Sequence, residues 1–356
     1  MMKKGIIFAF FLLFLIKAAT AQDTKFLTDK QGEYIVKNQL NKCPGFDFAT
    51  YSGNLKVITD WFHINNPVLN PIKGFDAIVI MGGNLCDDDR HSFYYGVMSY
   101  IHFAFYYFYM QNGEMKQATG WSAHGTEINI NNPIHNIGQI MDESEFKTGD
   151  PPALKQPLEK ALANLKQFYL TNPVEREISP GVILFKGGYI LVFNPDRPWI
   201  WKPVTVREIV DAELAYYRVK KEIDSINYQK TLEKWAKLNF KPPEMANTSV
   251  YDVLKKEYSA LSSEELNKPA SVSRDDGDIS GIRADGVGMP VMRFNPDCWD
   301  RALPPTAIQF ISFEYKPASY EELQQFIKRN DGLTDYVSLF MNKLPFKELG
   351  ALINKK

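Results

Sequence analysis

The chain has 356 residues, 45% of them hydrophobic and 23% charged, with 41 Lys and Arg against 42 Asp and Glu. That length is ample for a full hydrophobic core, in one large domain or two smaller ones. The net charge of −1 excludes a protein that works by neutralising nucleic-acid phosphates, so no nucleic-acid partner is expected.

Lys3 and Lys4 precede an apolar run, Gly5 to Ile16, and Ala19-Thr20-Ala21 sets small residues just before Gln22. This is the pattern of a cleavable secretory signal, and the run is too short to span a bilayer. Residues 1–21 are expected to be removed, with the mature protein exported to the periplasm or the cell exterior. Lys3, Lys4 and Lys17 leave with the signal, which takes the net charge to about −4. No later run is long and apolar enough for a transmembrane helix after cleavage. The cysteines are Cys43, Cys86 and Cys298. An odd number in an exported chain requires a free thiol or a bridge between chains, and their spacing matches no paired metal motif.

In chain order, Gln31 to Asn41 is expected as a short helix, and Pro67, Pro71 and the surrounding Asn residues as loop. Phe75 to Met81 reads as a strand ended by Gly82-Gly83-Asn84. Residues 97–110 and 115–128 read as a hairpin turning at Asn112-Gly113, flanked by aromatic and β-branched runs. A two-residue turn there pairs Gln111 with Glu114. The same register carried on pairs His102 with Ala123, His124 with Ile101 and Phe105 with Gly120, and it places the two histidines on opposite faces. The aromatic residues of 93–109 are read as a central strand in the core.

Ala153 to Leu170 has helical periodicity, and Val182 to Phe193 reads as a hairpin turning near Gly187-Gly188. Pro203 to Leu238 is expected as helix, with Thr205 and Glu208 as a capping box. Ser249 to Ala260 and Ser262 to Leu266 follow as helices, the second with a box at Ser262 and Glu265. Residues 268–288 are Ser-, Asp- and Gly-rich and read as loop. Met289 to Phe294 and Ala307 to Tyr315 are expected as strands, Tyr320 to Arg329 as a helix capped by Ser319, and Phe340 to Ile353 as helix. Phe193-Asn194-Pro195-Asp196 recurs as Phe294 to Asp297. Turn chemistry explains it better than duplication, because Asx side chains bond the local backbone and Pro fixes φ.

The whole reads as α+β, with an antiparallel, sheet-rich N-terminal half and long helices in the C-terminal half. Residues 22–200 form the β-rich region and residues 201–356 the helix-rich α+β region, compatible with one continuous domain.

No motif specifies a chemistry. The five histidines all fall between His63 and His135, which raises zinc, but the hairpin register sends His102 and His124 to opposite faces. Candidate catalytic residues are Asp87, Asp89 and His91 in the loop after the first strand, with His124 and Glu127 on the hairpin. Gly82-Gly83-Asn84 lacks the Lys and the spacing of a phosphate loop, and no cofactor site is expected. Asp276-Gly277-Asp278-Ile279-Ser280-Gly281 resembles the first half of an EF-hand calcium loop, with oxygen ligands at alternate positions before a glycine. Asp285 supplies a further carboxylate, while Val287 stands where that loop carries its bidentate Glu. Asp276, Asp278, Ser280 and Asp285 are thus the candidate calcium ligands. The reading is an exported protein with a binding or structural role. Its alternative is a secreted hydrolase using acidic and His residues of 87–127.

Overall fold

The computed structural model describes residues 24–42, 47–83, 95–118, 124–135, 137–141, 144–238, 240–241, 249–272, 282–315 and 334–354. The strands are β1 (Thr24–Phe26), β2 (Tyr34–Gln39), β3 (Phe75–Gly82), β4 (Ser99–Gln111), β5 (Glu114–Gln117), β6 (His124–Ile130), β7 (Gly138–Ile140) and β8 (Phe168–Thr171). Then come β9 (Val174–Ser179), β10 (Val182–Phe185), β11 (Tyr189–Phe193), β12 (Trp201–Pro203), β13 (Ser271–Val272), β14 (Ile282–Arg283), β15 (Met289–Phe294) and β16 (Phe310–Glu314). The α-helices are α1 (Phe48–Asn65), α2 (Lys155–Leu165), α3 (Val206–Lys237), α4 (Val250–Ser259), α5 (Ser263–Leu266) and α6 (Tyr336–Asn342).

Two sheets result. The larger runs β2-β3-β4-β6-β16-β11-β10-β9, with β1 and β5 also on β4. The smaller runs β14-β13-β15-β8-β7, with β12 on β15. Only β2–β3 is parallel; every other pairing among the described strands is antiparallel. The structure is therefore mixed α and β with mostly antiparallel sheets, as the sequence predicts. Its helices are not confined to the C-terminal half, since α1 and α2 both precede residue 166.

Strand alternation sorts the side chains into layers. On one face of the larger sheet, Val79, Ile101, Phe103, Phe105, Ile128 and Ile311 pack under Tyr51, Leu55, Ile58 and Phe62 of α1 and Phe340 and Met341 of α6. On its other face, Leu191, Phe193 and Phe310 meet Tyr169, Trp201 and Phe294 of the smaller sheet. The far side of that sheet, through Phe168, Val272 and Val291, packs against α2, α3 and α4. The order of layers is helix, sheet, sheet, helix. The smaller sheet covers the outer face at the β16–β11–β10 end, and the outer face of β4 and β6 lies beside it.

Several local expectations hold. Asn112 and Gly113 have φ of 53° and 78°, the two left-handed residues of the favoured two-residue hairpin turn, and Gln111 pairs with Glu114. Both capping boxes form, at Thr205–Glu208 and Ser262–Glu265. The hairpin of β10 and β11 closes with Phe185 opposite Tyr189. In the two Phe-Asn-Pro-Asp segments, Asn194 Oδ1 accepts from Asp196 N at 3.1 Å and Asn295 Oδ1 from Asp297 N at 3.2 Å. The segments also meet: Asn295 Nδ2 donates to Trp199 O, and the Arg197 guanidinium to Asp297 O and Trp299 O.

Other expectations are corrected. Gln31 to Asn41 is not a helix; Tyr34–Gln39 is a strand paired with Ala77 to Gly82, because Ile35 and Val36 are β-branched and suit a half-buried edge strand. The register beyond β5 slips by four residues, so His102 faces Glu127 and Phe105 faces His124, not Ala123 and Gly120. An even slip preserves the faces, and His102 and His124 still point to opposite sides. The helix expected to Leu170 stops at Leu165, and Phe168–Thr171 is β8, held by β7 and β15. Strand β16 starts at Phe310 rather than Ala307. The C-terminal helix splits into α6 and a 3₁₀ segment, Phe346–Leu352, on either side of the helix-breaking Pro345. The expected helix over 320–329 lies outside the described residues.

Candidate binding cleft

The alternation of β4 (Ser-Tyr-Ile-His-Phe-Ala-Phe) and β6 (His-Gly-Thr-Glu-Ile-Asn-Ile) sends one set of side chains into the core and the other outward. The outward set forms rows across the sheet. Tyr100 lies opposite Asn129 and His102 opposite Glu127. On the next strand Ser312 pairs with Asn129, Phe313 with Ile128, and Glu314 with Tyr189 of β11. Glu127 and Glu314 lie one residue beyond the Ile128–Phe313 pair, on the same face of their strands by alternation. His102, Glu127, Glu314 and Tyr189 thus lie on one face of the sheet, His102 paired with Glu127 and Glu314 with Tyr189.

The last recorded pair of β6 and β16 is Ile128 with Phe313. Where the two strands part, a cleft of about 400 Å³ opens, lined by His102, Gly125, Thr126, Glu127, Asn129, His135, Glu314, Val337 and Met341. Glu127 and Glu314 are exposed, His102 and His135 half-buried and Asn129 buried. Val337 and Met341 of α6 close it from the core side. Gly125 has a specific part: a β-carbon there would lie 2.8 Å from His102 Nε2 and 3.1 Å from Phe103 O. The imidazole rests against bare backbone. Tyr100 does likewise on Gly82, whose added β-carbon would meet the ring at 2.6 Å.

A hollow of similar size, about 430 Å³, lies along α2 between Glu145, Lys155, Glu159 and Lys166. Its charges already pair, Lys166 with Glu145 at 3.0 Å and Lys155 with Glu159 at 3.9 Å. It is a solvated helix surface, and the sheet cleft is the better site.

Of the residues picked out from sequence, Glu127 lines the cleft. His124 does not. It lies on the core-facing side of β6, half-buried, 5.7 Å from the Tyr107 ring. Desolvation there lowers its pKa, opposed by the nearby Asp335 carboxylate. Asp87, Asp89 and His91 lie outside the described residues, as do Asp276, Asp278 and Ser280. Asp285 is exposed in a bend, where its Oδ1 accepts from Val287 N at 2.9 Å, an Asx turn. His63 is on α1, stacked on Tyr34 at 4.0 Å. Among the described residues, no group of three or more His, Cys, Asp or Glu is placed to hold a metal ion. Cys298 is a free, buried thiol, while Cys43 and Cys86 lie outside the described residues.

Sequence reasoning missed His135, Asn129 and Glu314 as members of one site. The strand alternation that orients Asn129 and Glu127 was legible. The pairing of β6 with a strand nearly two hundred residues away was not.

No helix among the described residues is long and apolar enough to cross a membrane. Comparison of the chain with protein-family models, with curated proteins and with solved structures finds no match.

Proposed function

We propose that the protein is an exported binding protein whose β4–β6–β16 cleft takes a small ligand carrying a positive charge and hydrogen-bond donors. The supporting observation is the outward set His102, Glu127 and Glu314. Glu127 and Glu314 line the cleft as two exposed carboxylates, and a positively charged ligand seated there gains Coulomb attraction to both. The half-buried imidazoles and the buried Asn129 amide supply directed hydrogen-bond partners. Export rests on the basic start, apolar run and Ala19-x-Ala21 site of the first 21 residues.

Calorimetric titration with putrescine, a simple diamine, tests the binding. The wild-type protein is expected to take up the diamine, and Glu127→Gln/Glu314→Gln to lose most of that affinity. Equal heats for both proteins, or no binding by the wild type at millimolar diamine, would refute the reading.

The alternative is an exported hydrolase built from residues of 87–127. It draws on the placement of His102 directly across from Glu127, a carboxylate–imidazole neighbourhood suited to general-base work. Hydrolysis of generic ester or glycoside substrates, abolished in Glu127→Gln, would favour it over simple binding.

A further inference from the structure

Helix α3 outruns the core it packs against. It has 32 residues, yet its buried positions end at Ile223. Further along it, Asn227 Nδ2 donates to Asp150 Oδ1 at 3.0 Å and Lys230 Nζ to Gly149 O at 3.4 Å. The following turns project beyond that point by about 1.5 Å per residue. The chain then folds back, with Leu238 N and Phe240 N both donating to Trp235 O at 3.1 Å.

The tip this makes is apolar at its centre. Leu238 is 55% exposed and Phe240 63%, and the Phe240 ring meets Trp235 edge-on at 6.1 Å. The charge along this stretch is mostly positive. Over residues 230–241, Lys230, Lys234, Lys237 and Lys241 stand against one acid, Glu233, and Glu244 follows three residues on. In the helix, Lys230, Lys234 and Lys237 recur at i, i+4 and i+7 and share one face, while Leu232, Trp235 and Leu238 fall on another.

We propose that this tip is a peripheral membrane anchor that seats Trp235, Leu238 and Phe240 in the interface of an anionic phospholipid bilayer. Lys234, Lys237 and Lys241 then meet the lipid phosphates. The charge selects this occupant. An indole beside exposed apolar side chains suits the headgroup boundary, where one end of the ring stays wet. Long lysine stems lie along the apolar surface and carry their ammonium groups up to the phosphates. A second copy of the same tip would bring the lysine collars together and repel itself. Three apolar side chains with a few lysines give a weak, reversible and salt-sensitive attachment rather than insertion.

The test is cosedimentation of the purified protein with vesicles of phosphatidylcholine alone and of phosphatidylcholine mixed with phosphatidylglycerol, with tryptophan emission read on the same samples. The protein is expected to sediment with the anionic vesicles only, to be released by salt, and to show a blue shift that Trp235→Phe removes. Leu238→Asp/Phe240→Asp and Lys234→Glu/Lys237→Glu change exposed positions, so they should keep the wild-type circular dichroism. Each is expected to lower partitioning by roughly tenfold or more. A wild-type protein that ignores anionic vesicles, or folded variants that partition as well as wild type, would overturn the proposal. A tip that instead docks on a protein would give that same failure.

Discussion

The His102 imidazole lies against the backbone of Gly125, so close that a β-carbon on residue 125 would stand 2.8 Å from Nε2. Gly125→Ala must therefore displace the His102 ring, and Phe103 O at 3.1 Å crowds the same added carbon. The expected outcome is a cost of about 1–3 kcal/mol, as for other overpacked sites, together with weaker diamine binding. Gly53 in α1 is the control: nothing lies within 4 Å of its added β-carbon. Gly53→Ala is expected to stabilise the protein by about 0.5–1 kcal/mol through helix propensity alone. Urea denaturation of the two variants checks both signs.

Burial gives His124 a pH signature. Desolvation lowers its pKa from 6.5, and the Asp335 carboxylate only partly offsets this. The folded state then binds fewer protons than the unfolded chain just below pH 6.5, so this residue's contribution to stability falls as the pH drops through that window. Melting temperatures across that range should decline, and His124→Gln should flatten the decline. An unchanged slope in the variant would remove His124 from the account.

Asn131, just after β6, ties together the segments that lead into β4 and β16. It is fully buried, with φ of 55°. Its Nδ2 donates to Val97 O at 3.1 Å and Ala307 O at 2.9 Å, and its Oδ1 accepts from Gln309 N at 2.8 Å and Phe310 N at 3.2 Å. Asn131→Ala strands these buried backbone groups and keeps a left-handed φ that alanine resists. A loss of about 3 kcal/mol or more is expected. Chemical denaturation measures it, and a loss under about 1 kcal/mol would contradict the role given to this side chain.

The Cys298 thiol is pushed up to about 12, chiefly by burial, with its backbone hydrogen bond and the Arg197 charge opposing. Only the thiolate reacts. Alkylation with iodoacetamide at mildly alkaline pH, followed by peptide mapping, should leave Cys298 unmodified in the native protein and modify it fully after denaturation. Rapid native alkylation would contradict the burial.

Much of this fold was legible in short windows. Asn112-Gly113 specified its turn, Thr205 and Glu208 their helix start, and the two Asn-Pro-Asp segments their Asx turns, because each depends on residues a few positions apart. Helix α1 was missed: Tyr51, Leu55, Ile58, Thr59 and Phe62 lie along one face, but Gly53 and the neighbouring Asn54 weaken the helical signal there. The register between His102 and Glu127 was not legible. The chain between β5 and β6 shifts the pairing by four residues, and no turn dipeptide marks that shift. The site was harder still. Glu314 joins Glu127 in lining the cleft only because β16 inserts beside β6, a long-range pairing with no local signal.

The most direct test of the binding account is an NMR titration of the histidine ring protons with putrescine. The cleft contains His102 and His135, while His124 sits on the opposite face of β6 and His63 is stacked on Tyr34. The account predicts that the His102 and His135 signals move together and saturate while those of His124 and His63 stay in place. Movement at His124 without His102, or no movement at any of the four, would contradict it.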